Sequence, residues 1–160
     1  MILLMGDTRI IPAGTPEQIK QVRKLFREYA EATGACECFE GLGKEIEGLP
    51  GPYGPPTGQL LLAELEGRSA GCVALRNLDD GISEMKRLYV RPAFRGRNLG
   101  RQLAESIITD ARRIGYRAMR LDTLSSMVAA RALYQSLGFR AIPRYNDNPA
   151  AGVIYLELRL

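Results

Sequence analysis

The sequence contains no histidine, and only three of its 160 residues are cysteine. Without histidine the chain can build neither a Ser-His-Asp nor a Cys-His nucleophilic centre, nor a metal site with an imidazole ligand. Cys36, Cys38 and Cys72 are not an even disulfide set and are a poor zinc set. We therefore expect no bound metal, a reducing cytoplasmic location, and a general base that is a carboxylate, Tyr, Lys, a backbone group or water.

Long apolar runs are also missing, since none approaches the about 18 residues of a membrane span. The apolar start at residues 1–5 is too short for a signal peptide and has no basic segment before it. Hydrophobic content of 46% and charged content of 25% are typical of one globular domain, which we place at residues 1–160. The net charge of +4 suits an anionic ligand. Because the arginines are scattered, we expect neither a nucleic-acid nor a membrane partner.

What the sequence does contain is concentrated in residues 84–103, which read as a strand, a turn rich in Arg and Gly, and the first turn of a long helix. A helix N-terminus presents unpaired N–H groups and partial positive charge to phosphate. Gly96 and Gly100 allow the backbone to approach a ligand closely. Four arginines add charge around the turn: Arg91, Arg95, Arg97 and Arg101. The stretch predicts a pyrophosphate-binding turn, although a purely structural turn can have this composition. Neither a Walker loop nor a dinucleotide fingerprint is present.

Periodicity and turn residues predict the element order β-α-α-β-β-β-α-β-α-β-β. A capping box at Thr15 and Gln18 starts the first helix. Strands two to four should form an antiparallel meander, and the helix after strand four makes strands four and five parallel neighbours. The predicted strands are 8–12, 59–66, 69–76, 82–90, 119–122 (within 116–123), 139–142 and 153–160, and the predicted helices are 15–34, one within 35–48, 99–115 and 128–137.

Two segments of the sequence resemble a known family. Arg95-x-x-Asn98-x-Gly100 is similar to the [Q/R]-x-x-G-x-[G/A] signature of the GNAT superfamily of acetyl-CoA-dependent N-acetyltransferases. Asn98 stands where Gly is usual, and Asn tolerates a left-handed backbone. The resemblance implies an α/β (α+β) GNAT fold, with a mixed, mostly antiparallel central sheet of about seven strands and four flanking helices.

A second segment supports the same resemblance. Residues 130–139 are similar to the family's A-x-x-x-Y-x-x-x-G-F segment, with Met127 where the family often has Asn. Tyr134 could simply be a core aromatic on an amphipathic helix. The resemblance implies that it lies near the sulfur of CoA and protonates the leaving thiolate.

The resemblance further implies acetyl-CoA as co-substrate and direct transfer of the acetyl group, in a ternary complex, to a primary amine of a small molecule or peptide. Backbone groups of Leu88 and Val90 would bind the pantetheine arm, and the N–H of Val90 would stabilise the oxyanion. The expected cofactor-binding residues are Leu88, Tyr89, Val90, Arg95, Gly96, Arg97, Asn98, Leu99, Gly100, Arg101 and Tyr134.

Glu84 is the candidate catalytic base, because family members that use a glutamate have it at the matching place. Strand alternation puts four residues on one face: Glu84, Lys86, Leu88 and Val90. Lys86 would lower the pKa of Glu84 and weaken it as a base, and Asp122 and ordered water are alternatives. Residues 35–58 and 143–150 should border the acceptor amine. The candidate acceptor contacts are Tyr29, Cys38, Asp122, Tyr145 and Asn148.

Two other functions fit the same sequence. Asn98 and Met127 favour a CoA-binding module that has lost catalysis, and a basic interaction protein that does not bind CoA is the third reading. The final strand, 153–160, could pair across a homodimer or lie at an internal edge.

Overall fold

The structure is a computed structural model that describes residues 7–34 and 41–160. Along these residues, seven strands and four α-helices follow the predicted order, which is therefore confirmed. The strands are β1 (Thr8–Pro12), β2 (Gln59–Leu65), β3 (Arg68–Asp79), β4 (Ile82–Val90), β5 (Ala118–Leu124), β6 (Arg140–Ala141) and β7 (Val153–Arg159). The helices are α1 (Pro16–Thr33), α2 (Leu42–Glu47), α3 (Leu99–Ile114) and α4 (Val128–Ser136).

All seven strands form one sheet in the order β1-β2-β3-β4-β5-β7-β6. The predicted meander of β2, β3 and β4 is confirmed, and so is the parallel pairing of β4 with β5. Every other pairing is antiparallel. The final strand lies inside the sheet, because β7 pairs with β5 on one side and with β6 on the other.

The helices cover both faces of the sheet. Leu60 and Leu62 of β2 pack on the face covered by α1 and α2, whereas Leu61 and Ala63 pack on the face covered by α3. This alternation follows from the two-residue period of a strand. We call these the α1 face and the α3 face. None of the helices in residues 7–34 and 41–160 is long and apolar enough to cross a bilayer.

A local sequence signal sets the start of α1. The N–H of Gln18 donates to Thr15 Oγ1 (3.2 Å) and the N–H of Thr15 donates to Gln18 Oε1 (3.0 Å), which is the predicted capping box. The helix predicted within 35–48 is confirmed as α2, Leu42–Glu47, and residues 35–40 lie outside the described residues. After α2, a 3₁₀ turn covers Gly51–Tyr53, where the buried Tyr53 hydroxyl donates to Glu45 (2.6 Å).

Strand β5, Ala118–Leu124, contains the predicted strand 119–122 and follows a left-handed Gly115 that ends α3. One strand prediction is too long. Strand β6 covers Arg140–Ala141 only, and the N–H of Phe139 donates to Tyr134 O (3.1 Å) at the end of α4 instead of to a neighbouring strand.

Strand β4 carries a bulge. Ala74 of β3 lies opposite Lys86, but Cys72 lies opposite Tyr89, so the register shifts by one residue between them. Arg87, in the shifted segment, has a left-handed backbone with φ of 58°. One residue of β3 therefore faces two of β4, which is the definition of a β-bulge.

The bulge corrects one prediction. An extra residue reverses the alternation of the strand beyond it. Glu84 and Lys86 lie on the α1 face, opposite residues of β3 on that face, whereas Leu88 and Val90 pack with the core of the α3 face. The prediction that all four share a face is wrong, because simple alternation assumes an uninterrupted ladder.

Strands β4 and β5 separate soon after they meet. Their pairing covers only Ile82–Glu84 and Ala118–Arg120. From Lys86 to Val90 the ladder of β4 in the described residues is with β3 alone. The two strands thus enclose a wedge-shaped opening, which we call the gap, and one edge of β4 faces it.

Gly71 holds β3 against β4 beside the gap, and its substitution tests this packing. A Cβ at this position would lie 2.5 Å from the carbonyl oxygen of Tyr89. We expect Gly71→Ala to lower the free energy of unfolding by about 2 kcal/mol or more, since backbone cannot yield as a side chain can. Urea denaturation measures this. Gly43→Ala is the control, because a Cβ on this helical glycine meets nothing within 4 Å and should be neutral or slightly stabilising. Equal effects of the two substitutions would contradict the expectation.

Candidate active site

The turn before α3 presents free amides. Gly96 and Asn98 have left-handed backbones, with φ of 79° and 64°. Asn98 is the N-cap but makes no side-chain capping bond, and the N–H of Gln102 is the first to bond back into the helix, to Asn98 O (3.1 Å). The N–H groups of residues 99–101 therefore have no intrahelical acceptor. We call this turn, residues 96–101, the cradle.

A groove runs from the cradle along α4. Its far wall consists of small and apolar side chains, including Ala129, Ala132 and Leu133. Arg101 borders the groove and donates to Ser136 Oγ (2.5 Å). At the other end, Arg95 donates to the carbonyl oxygen of Val90 (3.1 Å) and so ties the cradle to the end of β4.

One predicted member of the arginine cluster points elsewhere. Arg91 forms an ion pair with Glu28 of α1 (2.8 Å) and donates to Ser69 O (2.9 Å). Arg95 and Arg97, in contrast, are exposed at the cradle. The positive charge available to a ligand there comes from fewer arginines than the sequence predicts.

The groove continues into the gap. Val90 and Arg95 line both the groove and the entrance to the gap, where Tyr29 of α1 and Met127 form the opposite side. Further in, Leu88 and Tyr134 line a smaller cavity between β4 and β5. Two charged residues of the α1 face, Lys86 and Asp122, line the same cavity. Three adjoining pockets that share lining residues therefore extend from the cradle on the α3 side to charged groups on the α1 side.

Tyr134 of α4 is buried and lines the cavity together with Leu88 and Asp122. Its predicted place beside the sulfur of CoA stays a prediction. Burial raises the pKa of Tyr134, and the nearby Tyr29 and Asp122 add to this. The phenol is therefore protonated at neutral pH, as a proton donor must be.

The Glu84 side chain is fully buried. It has 0% exposure and accepts from Arg76 Nε (2.8 Å) and from the Tyr145 hydroxyl (2.5 Å), with Lys86 Nζ at 3.7 Å. Burial, followed by the charge of Glu84, raises the pKa of Tyr145, so the phenol remains a donor to the carboxylate. The catalytic role of Glu84 stays a prediction, and its position is that of a buried charge with its partners around it.

Asp122, at the end of β5, is the carboxylate that faces the cavity. Its Oδ2 accepts from Asn146 Nδ2 (2.8 Å) and Asn148 Nδ2 (3.2 Å). Burial opposes ionisation, but Lys86 and the two asparagines outweigh it and lower the pKa of Asp122. Asp122 is therefore ionised at neutral pH. Among the described residues, no three His, Cys, Asp or Glu side chains cluster as metal ligands would.

Helix α2 is tied to the bulge of β4 beside this cavity. Arg87 donates from Nε to Glu45 Oε2 (2.9 Å) and from Nη2 to Glu45 Oε1 (3.3 Å), and its guanidinium lies 5.8 Å from the ring centre of Tyr29. Sequence reasoning did not identify Glu45 or Arg87 as site residues. The only available signal was that Arg87 is adjacent to Lys86 on the strand that carries the motif.

The predicted acceptor contacts separate into three groups. Tyr29, Asp122 and Asn148 line one cavity, together with Lys86, which the prediction omitted. Tyr145 lies behind this cavity, against Glu84. Cys38 falls outside the described residues.

The chain is similar to known proteins in both sequence and fold. The model of the Acetyltransferase (GNAT) family matches residues 20–139. An uncharacterized N-acetyltransferase of Schizosaccharomyces pombe is 38% identical over 147 residues, which cover 91% of this chain and 90% of that protein. The crystal structure of a GNAT-family acetyltransferase from Staphylococcus aureus MU50 superposes with a TM-score of 0.80 at 18% identity, over 96% of this chain and 99% of that one. A putative acetyltransferase from Salmonella typhimurium, solved with its cofactor acetyl-CoA, gives a TM-score of 0.74 at 20% identity, over 95% and 93%.

The buried Glu84 cluster makes a testable contribution to stability. Tyr145→Phe removes a donor to a carboxylate that water cannot reach, and we expect the free energy of unfolding to fall by about 1–3 kcal/mol. Tyr155→Phe is the matched control, because its hydroxyl makes only a long bond to the neutral Asn146 O (3.3 Å). This control should lose about 0.5–1 kcal/mol. Denaturant titration of both variants decides, and a larger loss for the Tyr155 variant would contradict our account of the cluster.

Proposed function

Because this chain belongs to the GNAT family of acetyltransferases, we propose that it transfers an acetyl group from acetyl-CoA to a primary amine by direct attack in a ternary complex. The match to the family model confirms the family that the two sequence motifs predicted, and the likeness to solved structures confirms the fold. The observation that supports the proposal most is the series of adjoining pockets from the cradle, through the gap, to Asp122.

The residues present suit coenzyme A. The diphosphate would accept hydrogen bonds from the unpaired amides of residues 99–101, where the helix dipole adds positive charge. Exposed Arg95 and Arg97 add two cations at the same turn. The amide-rich pantetheine arm would lie along the free edge of β4, bonding to backbone groups near Leu88 and Val90 as an added strand does. The thioester would then enter the gap.

Two chain groups would act on the acetyl transfer from the α3 side. The N–H of Val90 is the proposed donor to the oxygen that becomes negative as the amine attacks the thioester carbonyl. When the carbon–sulfur bond breaks, the Tyr134 hydroxyl would give its proton to the departing thiolate. The raised pKa of Tyr134 keeps that proton in place until the thiolate forms.

Asp122 would receive the acceptor from the α1 side. An amine of lysine type has a pKa of about 10.4, so it arrives as an ammonium ion. The ionised Asp122 would bind and orient this cation. Its lowered pKa makes it a better anion than a base, so we assign the removal of the proton to water beside it. Glu84 would act indirectly, by holding Arg76 and Tyr145 beside the cavity through hydrogen bonds.

Gly100→Asp tests the cradle without disturbing the fold. A Cβ at Gly100 comes no closer than 3.9 Å to Leu133 and Val90, and an acidic residue in the first turn favours a helix. We expect unchanged or slightly higher thermal stability but at least tenfold weaker binding of CoA, because the carboxylate repels the diphosphate. Isothermal titration calorimetry measures the CoA affinity of the parent and of each variant, and thermal denaturation measures their stability. Gly100→Ala, which adds bulk without charge, should stay within a few-fold of the parent, and equal binding by the Asp variant would contradict a diphosphate at this turn.

The two carboxylates can be separated by kinetics. Asp122→Asn keeps the shape and loses the charge, and we expect kcat/KM for the amine to fall at least tenfold, which is about 1.4 kcal/mol, with CoA affinity unchanged. Glu84→Gln should lower the free energy of unfolding, because Arg76 loses its buried partner, and should affect kcat/KM less than Asp122→Asn does. Release of free thiol, followed with a chromogenic reagent, measures turnover.

Asp147→Asn is the control for these variants, since Asp147 is exposed in the same loop and pairs only with Arg144 (3.1 Å). A drop of about 10²–10⁴-fold in kcat for Glu84→Gln alone would instead assign the base to Glu84. Binding of CoA with no acetylation of any amine would overturn the proposal in favour of a module that has lost catalysis.

A further inference from the structure

We infer that the acceptor is a free amino acid or a similar small zwitterion, whose carboxylate binds Lys86 while its amine faces Asp122. The inference names the substrate class of the proposed acetyltransferase and therefore rests on that function. It depends on two oppositely charged side chains that line one cavity on the α1 side of the gap.

Lys86 is a nearly buried ammonium group without a close acceptor in residues 7–34 and 41–160. Its side chain is 13% exposed, and the nearest carboxylate oxygen, on Glu84, is 3.7 Å away. That distance is beyond a hydrogen bond, and no described residue accepts one from Lys86 Nζ. An ammonium ion has three donors, and removing it from water without acceptors is unfavourable. An anionic group entering the cavity would supply what the protein does not.

Arg76 and Tyr145 explain why Glu84 does not fill this role. Both hold the Glu84 carboxylate at hydrogen-bond distance, at 2.8 and 2.5 Å. Lys86 is thus the third and most distant partner of a carboxylate that is already bound. It can turn toward a ligand without leaving a buried charge alone.

The strands bring Lys86 and Asp122 to opposite sides of the gap. Glu84 of β4 pairs with Arg120 of β5. Lys86 and Asp122 each follow two residues later, so both side chains project to the same face. Paired strands lie about 4.8 Å apart. Because β4 and β5 diverge beyond Glu84, they leave room for a small molecule whose two charged groups are attached to one carbon atom.

Among the residues that the structure describes, the charges near the cavity balance before any ligand enters. Glu84 and Asp122 carry negative charge, and Arg76 and Lys86 carry positive charge. Arg87, the other cation on the cavity wall, is bound to Glu45. A zwitterion adds no net charge, whereas a diamine brings an excess positive charge next to Lys86. A peptide N-terminus has no carboxylate close to its amine and would leave Lys86 unmatched.

The test compares amino acids with amines that lack only the carboxylate. We would measure kcat/KM with acetyl-CoA for alanine and ethylamine, phenylalanine and phenethylamine, and lysine and cadaverine. For each pair the carboxylate preference is the ratio of the two values, in the parent protein and in Lys86→Gln. Dividing the parent ratio by the variant ratio cancels the different amine pKa values within a pair. We expect this quotient to be at least ten, mainly through KM for the amino acid.

Two further variants test whether the carboxylate preference depends on a positive charge at position 86. Lys86→Arg keeps a cation in the cavity and should retain most of the preference. Lys24→Gln removes an exposed lysine of α1 and should leave the ratio unchanged. A quotient near one for every pair, with amines still acetylated, would overturn the amino-acid acceptor and leave the acetyltransferase proposal intact.

If no amine of any kind is acetylated, the acetyltransferase proposal fails, and binding alone tests the cavity. Calorimetric titration of alanine and ethylamine into protein saturated with CoA should show uptake of alanine that Lys86→Gln weakens at least tenfold. Absence of that difference would overturn the inference as well.

Discussion

The site depends on the separation of β4 from β5. A backbone N–H or C=O that leaves one ladder must find another partner, and beyond Glu84 the edge of β4 that faces β5 no longer has one there. The bulge at Arg87 turns Leu88 and Val90 toward the α3 face. Under the proposed function, the amide-rich pantetheine arm would add to the sheet along this stretch of β4.

A second constraint is the buried charge at the centre of the sheet. Glu84 is fully enclosed, and such a carboxylate is tolerated only with close partners. Those partners come from three elements: Arg76 on β3, Lys86 on β4, and Tyr145 in the segment before β7. The same segment supplies Asn146 and Asn148 to Asp122. One electrostatic requirement thus fixes the position of the wall that borders the cavity of Lys86 and Asp122.

Features with local causes could be predicted from the sequence. The capping box at Thr15, the left-handed Asn98 and the order of strands all depend on residues near each other in the chain. Features that depend on distant partners could not. Arg91 leaves the cradle because Glu28, far away in the chain, attracts it, and the bulge at Arg87 depends on the register with β3. Burial of Glu84 was likewise invisible, since a strand-end glutamate more often meets water.

The two sides of the site draw on different elements around a shared centre. The cradle and the groove lie on α3 and α4, whereas Lys86 of β4 and Asp122 of β5 are flanked by α1 and by the segment before β7. Under the proposed function, substitutions in α1 and in the segment before β7 would alter the choice of amine while the cradle stays unchanged.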